Sequence, residues 1–278
     1  MGQDPTKTIQ VRKYQHGSLQ ETQDILAVEE PLQINASFDN GSGYTQKSVS
    51  ITMRTPGHDA ELALGFLFTE AVLNNPSLAK ACVVHGTDNE ATVVFPKGIS
   101  PSLVQAERHF YATSSCGVCG KSSIDVLYQL SPFPQSSLSL NIKSSLIRQL
   151  PDKLRAAQSL FAETGGIHAC AFFSADGDMI LVREDVGRHN ALDKLIGAAL
   201  TNNLLPLENG LLLLSGRASF ELMQKAYMAG VQLVAAVGAP SSLAVELAEA
   251  RRMTLIGFLR HDRFNVYSGA GRINFDTV

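Results

Sequence analysis

The chain has 278 residues, of which 45% are hydrophobic and 18% are charged, which predicts a compact protein of one large or two modest domains and argues against a disordered chain. The net charge of -3 argues against a broad nucleic-acid-binding surface. Apolar runs such as residues 211–214 are too short to cross a bilayer, and residues 1–13 are polar. We therefore expect a cytoplasmic protein that acts on neither nucleic acid nor membrane.

Alternating side chains predict strands in the first part of the chain. Residues 8–14 favour a strand, and residues 32–38 alternate apolar with polar side chains before a turn and a second run at 48–53. Residues 82–84 and 91–95 flank another turn-forming segment. These patterns predict two antiparallel hairpins after the first strand.

Two helices are predicted from their end signals. Thr55 followed by Pro56 is typical of an N-cap and a first helical residue, and apolar spacing continues this helix to about Ala71. A second helix is predicted over residues 151–163, with Gly165 and its neighbour at the C-terminal end.

The last third alternates strands with helices after a hairpin at 169–173 and 179–182. The predicted order is strand 211–214, helix 220–229, strand 231–237, helix 243–252 and strand 254–259. Short connections between such elements predict a parallel sheet covered by helices on both faces. Ligands of such sheets bind beyond the carboxyl ends of the strands, here at residues 215–219, 238–242 and 260–263.

Cys116 and Cys119 form the strongest local signal, within a stretch of Ser, Gly and Pro at residues 112–141. The low periodicity predicts a mobile functional loop or an interdomain linker. Two thiols at this spacing reach one another or one metal ion, and Lys121 favours the thiolate form. The pattern indicates a sulfur carrier, in which a thiolate accepts sulfane sulfur as a persulfide.

A zinc site is the alternative for this cysteine pair. Zinc needs four ligands, so Cys116 and Cys119 would have to recruit His168 and Cys170. A zinc hydrolase acting on a base uses His-x-Glu followed by Cys-x-x-Cys. Residues 168–170 lack the glutamate and follow the cysteine pair, which disfavours that activity.

Residues 215–219 follow a predicted strand and open a helix. Free N–H groups, Arg217 and the capping residue Ser219 would together form an anion site, although capping by Ser219 alone also explains the pattern. Residues 260–263 add two guanidinium groups at the same predicted edge. The two segments together favour a ligand that carries phosphate.

Residues 184–190 precede another predicted helix. Asp185 is a candidate N-cap, or alternatively a group that orients His189 as a base, but spacing marks no Ser or Thr nucleophile. His168 is interpreted first as a satisfied core histidine and second as a ligand contact.

Taken in order, these segments resemble the FdhD family of formate dehydrogenase accessory sulfurtransferases, from Pro31 to about Tyr267. The resemblance rests on Leu64-Gly65-Phe66-Leu67 with Glu70, Cys116-Gly117-Val118-Cys119-Gly120, Gly165-Gly166-Ile167-His168, residues 184–194, Ser215-Gly216-Arg217-Ala218-Ser219 and Gly257-Phe258. Ser115 departs from the glycine that many members carry there.

The resemblance implies that a cysteine desulfurase gives sulfur to Cys116, with Cys119 as partner. The sulfur would pass to the molybdenum or tungsten of bis(molybdopterin guanine dinucleotide), bound as substrate, before insertion into the formate dehydrogenase apoenzyme. The family's cofactor-binding stretch maps to Phe258, Leu259, Arg260, His261, Asp262 and Arg263, of which Phe258 and Arg263 match firmly. We add Ser215, Arg217, Ser219, Arg188 and His189 as further cofactor-binding candidates.

The expected fold is α/β, with a C-terminal cytidine-deaminase-like three-layer α/β domain over residues 146–278. A smaller N-terminal α+β domain over residues 1–145 includes the cysteine loop. The resemblance also implies a homodimer, and we expect no permanently bound metal. A non-catalytic chaperone that binds and delivers the cofactor is the alternative function, since it would need the arginines but not the thiols.

Overall fold

The computed structural model describes residues 4–103, 130–134 and 140–275. Cys116, Cys119 and Lys121 lie outside the described residues. The N-terminal elements are β1 (Thr6–Gln15), β2 (Ser18–Ala27), β3 (Glu30–Asp39), β4 (Tyr44–Arg54), α1 (Asp59–Thr69), a 3₁₀ turn (Pro76–Leu78), β5 (Val83–Gly86) and β6 (Glu90–Val94).

The C-terminal elements begin after residue 140. They are β7 (Ile142–Lys143), α2 (Ser144–Ala157), α3 (Ser159–Thr164), β8 (His168–Ser174), β9 (Met179–Asp185), α4 (Arg188–Thr201), β10 (Gly210–Leu214), α5 (Phe220–Met228), β11 (Leu233–Ala236), α6 (Ser242–Ala250), β12 (Thr254–Gly257), β13 (Asn265–Ser268), a 3₁₀ turn (Ala270–Arg272) and β14 (Ile273–Asn274).

Both predicted N-terminal hairpins are confirmed. β3 pairs with β4, and β5 with β6, in antiparallel register, and a parallel β3–β6 contact joins them into a four-stranded sheet of order β4-β3-β6-β5. The first strand is also confirmed, but it forms a hairpin of its own with β2, which was not predicted. β2 is almost wholly exposed, so it lacks the buried apolar face that alternation detects.

The predicted start of the first helix is wrong. α1 begins at Asp59, after His58 in the left-handed conformation, and not at Thr55–Pro56. Thr55 is fully buried and donates its N–H to Oδ2 of Asp185 over 3.2 Å. The hydroxyl of Thr55 accepts from the N–H of Val186, so this side chain is used in a tertiary contact and is not available as a cap.

The predicted helix over 151–163 is two helices, α2 and α3. α2 starts earlier, at Ser144, and contains Pro151. The chain leaves helical geometry at Gln158, and the carboxylate of Glu184 then accepts from the N–H groups of Leu160 and Phe161. A distant carboxylate therefore caps α3, which no local pattern could have indicated.

The central sheet has six strands in the order β13-β12-β11-β10-β8-β9. The predicted parallel arrangement is confirmed for β10, β11 and β12, but the whole sheet is mixed, because β8, β9 and β13 run antiparallel to their neighbours. Leu211 and Leu213 pack with α2 on one face, while Leu212 and Leu214 pack with α4, α5 and α6 on the other. Helices on both faces explain the unbroken apolar runs.

α1 and α4 cross with their backbones in contact. A Cβ atom on Gly65 would overlap the main-chain oxygen of Asp193, and one on Gly197 would overlap that of Glu61. One apolar cluster runs from β3 through α1 and α4 to the central sheet. The fold is thus mixed α/β with several sheets and, in the described ranges, six α-helices. The boundary at residue 145 stays a prediction.

None of the helices in the described ranges combines the length and the apolar character that a membrane crossing requires.

Candidate functional site

Strand direction gathers the predicted site segments at one edge of the six-stranded sheet. β10, β11 and β12 end at this edge, which we call the carboxyl edge, and the antiparallel register of β8 with β9 and β10 places His168 and Asp185 there too. The N–H of Gly238 donates to the carbonyl of Gly216 over 2.8 Å, and that of Phe258 donates to the carbonyl of Gly238 over 3.0 Å. The three predicted loops therefore form one continuous rim.

The loop after β10 presents one side chain to solvent and uses two others internally. Ser215 accepts the N–H of Ala169 at its hydroxyl over 2.9 Å, which fixes the start of β8. Ser219 caps α5, as predicted, by accepting the N–H of Leu222. Arg217 is exposed. Of these three residues, only Arg217 carries a charge, and its exposed side chain is available to a ligand.

His189 contacts α5 and not Asp185. Its Nε2 lies 3.3 Å from the hydroxyl of Ser219 and 3.7 Å from Oε2 of Glu221. Burial acts to raise the pKa of Glu221, but hydrogen bonds from His189 and Ser219 outweigh it and hold that pKa below its usual range. The alternative prediction that Asp185 orients His189 as a base is therefore wrong. The sequence analysis did not identify Glu221 as a partner of His189. Its position in the first turn of the predicted helix, two residues after the predicted cap Ser219, was the signal that could have indicated it.

His168 and Arg188 lie beside this contact. Gly216 leaves room for the His168 ring, since a Cβ there would sit 3.3 Å from Nδ1. Burial lowers the pKa of His168, and the charges of Arg188 and His189 lower it further, so a neutral imidazole is favoured. The Nε of Arg188 is buried and has no hydrogen-bond partner among the described residues. A bound anion would satisfy that donor.

Residues 258–263 divide into buried and exposed members. The side chain of Leu259 is fully buried in the core, and the place of this residue in the cofactor-binding stretch stays a prediction. Arg260 turns back and donates from Nη1 to the carbonyls of Val237 and Leu259. By contrast, the ring of Phe258 is 43% exposed, on a backbone with φ of 52°.

The remaining members of this stretch are open to solvent. The side chains of His261 and Asp262 are 80% and 58% exposed, with 3.8 Å between Nδ1 and Oδ1. Arg263 is exposed as well, and its carbonyl accepts the N–H of Arg260 to close the turn. Within this turn, the guanidinium of Arg263 has no hydrogen bond or ion pair with any residue that the structure describes.

A buried network supports the rim at the end of β9. Asp185 accepts hydrogen bonds from Lys194, from the N–H of Gly187 and from Asn190, and Gly187 is the residue that precedes α4. Lys194 also donates to the carbonyl of Thr55 over 2.8 Å. The sequence alone predicts Asp185 as an N-cap or as a group that orients His189, and it assigns Lys194 no role of its own. The structure shows a charged pair that fixes the turn before Arg188.

The described residues offer no ready metal centre. No group of three or more His, Cys, Asp or Glu side chains in the described ranges is arranged to hold a metal ion. Burial raises the pKa of the Cys170 thiol far above its usual range, which disfavours the thiolate that zinc requires. The role of Cys116 and Cys119 as zinc ligands is not tested, because both lie outside the described residues.

The sequence model of the FdhD/NarQ family matches residues 27–274 of this chain. The chain belongs to the FdhD/NarQ family. Relatives named sulfur carrier protein FdhD include one from Streptomyces coelicolor, 46% identical over 277 residues, which covers 96% of this chain and 95% of the relative. One from Mycobacterium tuberculosis is 47% identical over 261 residues, covering 90% and 92%. One from Picrophilus torridus is 43% identical over 250 residues, also covering 90% and 92%.

A solved structure supports the fold. The crystal structure of a candidate formate dehydrogenase accessory protein from Desulfotalea psychrophila has a TM-score of 0.71 and covers 98% of this chain and 100% of its own. Its sequence identity is 20%, so this likeness bears on the fold alone. The rim of this chain joins exposed arginines, the exposed residue Phe258 and a buried N–H of Arg188 that has no partner among the described residues.

Proposed function

We propose that this family member carries sulfur as a persulfide on Cys116, from a cysteine desulfurase to bis(molybdopterin guanine dinucleotide), for use by formate dehydrogenase. The observation that carries the proposal is the match to relatives named sulfur carrier proteins over 90–96% of the chain. A homodimer and a cytidine-deaminase-like C-terminal domain, which the family resemblance implies, belong to the same proposal, as does the cytoplasmic location expected from the composition.

The proposed chemistry needs two thiols. The Cys116 thiolate attacks the outer sulfur of the donor persulfide, the donor S–S bond breaks, and the donor cysteine leaves as thiolate. After the cofactor has docked, the Cys119 thiolate attacks Sγ of Cys116. The outer sulfur is then released as sulfide, and a Cys116–Cys119 disulfide remains, so the two thiols supply both electrons.

The carboxyl edge is the proposed docking surface for the guanosine phosphates of the cofactor. Arg217 and Arg263 are exposed and flank the rim, and the buried Nε of Arg188 lacks a partner among the described residues. Charge-assisted hydrogen bonds from guanidinium groups suit phosphate oxygens, and such contacts weaken as salt screens them. The exposed ring of Phe258 offers a stacking face for a base.

Intact mass spectrometry tests the sulfur step. The full chain is incubated with a cysteine desulfurase and L-cysteine, and the gain of reductant-sensitive sulfur is measured for wild type, Cys116→Ala and Cys119→Ala. Cys82→Ala is the matched control, because burial raises the pKa of that thiol to about 11 and so disfavours its thiolate. We expect wild type and Cys82→Ala to gain sulfur and Cys116→Ala to gain none. Undiminished sulfur on Cys116→Ala would contradict the assignment.

The same variants separate a sulfur carrier from a chaperone. Cofactor bound to the purified protein is transferred to formate dehydrogenase apoenzyme, and activity is read with wild type and Cys116→Ala. A sulfur carrier loses activation in the variant while still binding guanosine diphosphate. A chaperone would activate the apoenzyme equally well without the thiol.

A further inference from the structure

A cavity of about 230 Å³ lies at the opposite edge of the six-stranded sheet, where β10, β11 and β12 begin. The length of β12 separates it from the carboxyl edge, since Arg252 and Met253 precede this strand and Phe258 follows it. Among the described residues, its walls include Phe133, Pro206, Tyr227, Arg252, Met253 and Arg272. Neither the sulfur step nor the cofactor rim uses any of these side chains.

Positive charge dominates this cavity. Among the described residues, its lining includes three arginines and one carboxylate: Arg251, Arg252, Arg272 and Glu208. Within the described ranges, neither Arg252 nor Arg272 has a carboxylate within 4.0 Å. The guanidinium of Arg251 lies over the ring of Tyr227, 4.9 Å from its centroid, which limits its motion. Arg252 and Arg272 therefore bring two guanidinium groups to the cavity without a carboxylate partner among the described residues.

Arg272 contacts a neutral hydroxyl group at the start of β12. It is partly buried, and its Nη1 donates to the hydroxyl of Thr254 over 3.3 Å, a neutral partner. Burial lowers the pKa of Arg272. A guanidinium stays charged in proteins, so its partial desolvation is unfavourable until an anion contacts it.

Gln232 adds a second unmet requirement. It lines the same cavity, and its Oε1 is buried without a hydrogen-bond partner among the described residues. A buried acceptor left unpaired is destabilising, and a hydroxyl or N–H of a ligand would satisfy it. A ligand that complements this cavity therefore has both an anionic group and a hydrogen-bond donor.

We propose that this cavity binds a small phosphate monoester that also carries a hydroxyl group. Its phosphate lies against Arg252 and Arg272, its apolar part contacts Phe133 and Met253, and its hydroxyl donates to Oε1 of Gln232. A phosphate dianion matches the two guanidinium groups of Arg252 and Arg272 better than a carboxylate with one negative charge does. The volume is below the roughly 300 Å³ at which pockets for drug-sized ligands begin, so a dinucleotide cofactor does not fit.

Isothermal titration of the full chain with phenyl phosphate and 4-hydroxyphenyl phosphate tests the proposal. We expect the hydroxyl to improve affinity in wild type and Gln232→Leu to remove that gain. Arg272→Gln should weaken both probes about tenfold, the usual scale for a lost charge-assisted hydrogen bond. Arg12→Gln is the matched control, because Arg12 lies on the exposed hairpin of β1 and β2. The affinity of this variant for both probes should stay at the wild-type value.

Arg252→Gln, at an exposed position, gives the same readout if Arg272→Gln fails to fold. No saturable binding to wild type would overturn the proposal, and so would equal affinities for Arg12→Gln and the cavity variants. Benzoate binding as tightly as phenyl phosphate would overturn the phosphate assignment. These outcomes are independent of the persulfide test, since none of the probes contains sulfur.

Discussion

Lys194 donates from Nζ to Oδ2 of Asp185 over 2.7 Å, and both side chains are almost completely buried. The same Nζ donates to the carbonyl of Thr55, so one cation links α4, the end of β9 and the segment after β4. A buried pair of this kind contributes little if both partners are replaced together, but the loss of one partner leaves an uncompensated charge. The pair therefore fixes the turn that precedes Arg188 and His189 at the start of α4.

Lys194→Met should therefore destabilise the chain by about 3–5 kcal/mol, the range for breaking one side of a buried pair. Urea unfolding followed by circular dichroism measures this change. Arg12→Ala is the control, because the Arg12–Glu21 pair is 71% and 77% exposed and its loss should cost less than about 1 kcal/mol. Equal effects of the two substitutions would show that the buried pair has no special weight.

Gly65 and Gly197, where the backbones of α1 and α4 touch, should not tolerate a larger residue. Gly65→Ala and Gly197→Ala would each push a methyl group into the facing backbone, and overpacking of this kind costs about 1–3 kcal/mol or more. Gly271→Ala places its methyl group in open space and should change stability by less than about 0.5 kcal/mol. Thermal unfolding of the three variants decides the matter, and wild-type stability of Gly65→Ala would refute the close crossing.

Glu61 should make stability depend on acid pH. Burial acts to raise its pKa, but hydrogen bonds from Arg183 and His58 outweigh burial and lower that pKa from 4.5 to about 2. A carboxyl group with a depressed folded-state pKa stabilises the fold above its unfolded pKa, and the contribution is lost as pH falls through the folded value. The stability difference between wild type and Glu61→Gln should thus shrink between pH 4.5 and about 2.

Urea titrations at several pH values measure this difference. Glu21→Gln is the control, because Glu21 is 77% exposed in its pair with Arg12, and its difference from wild type should stay small throughout. A Glu61→Gln difference that does not change with pH would mean that Arg183 does not hold the carboxylate in solution.

Two serine caps allow a matched comparison at the rim. Ser219 caps α5 and Ser241 caps α6, each by accepting the N–H three residues later, so Ser→Ala at either position should cost about 1 kcal/mol. Only Ser219 also hydrogen-bonds Glu221, so Ser219→Ala alone should raise the pKa of Glu221. NMR titration of the carboxyl groups detects that shift. An unchanged pKa of Glu221 in Ser219→Ala would contradict the hydrogen bond between Ser219 and Glu221.

Local patterns predicted many elements because their causes are local. The strands β10, β11 and β12 appear as short apolar runs since both sheet faces are covered, and Ser219 was recognised because a cap bonds its own helix. Strand direction then placed residues 215–219, 238–242 and 260–263 on one edge. The same reasoning failed for β2, whose face is exposed and whose pairing with β1 supplies the strand.

The amino-acid sequence by itself determined the alternation of strands and helices over residues 211–259 and the edge at which the charged loops gather. Hydrophobic periodicity and short connections between strands, which indicate these features, are set by residues close together in the chain. Only the tertiary structure decided that Asp185 pairs with Lys194 and that Glu221 contacts His189. It also brought Tyr227, Arg252 and Arg272 to one cavity. Each of these outcomes depends on which distant side chain is nearest once the core has packed, and burial makes that choice by excluding the water that would otherwise satisfy every polar group equally.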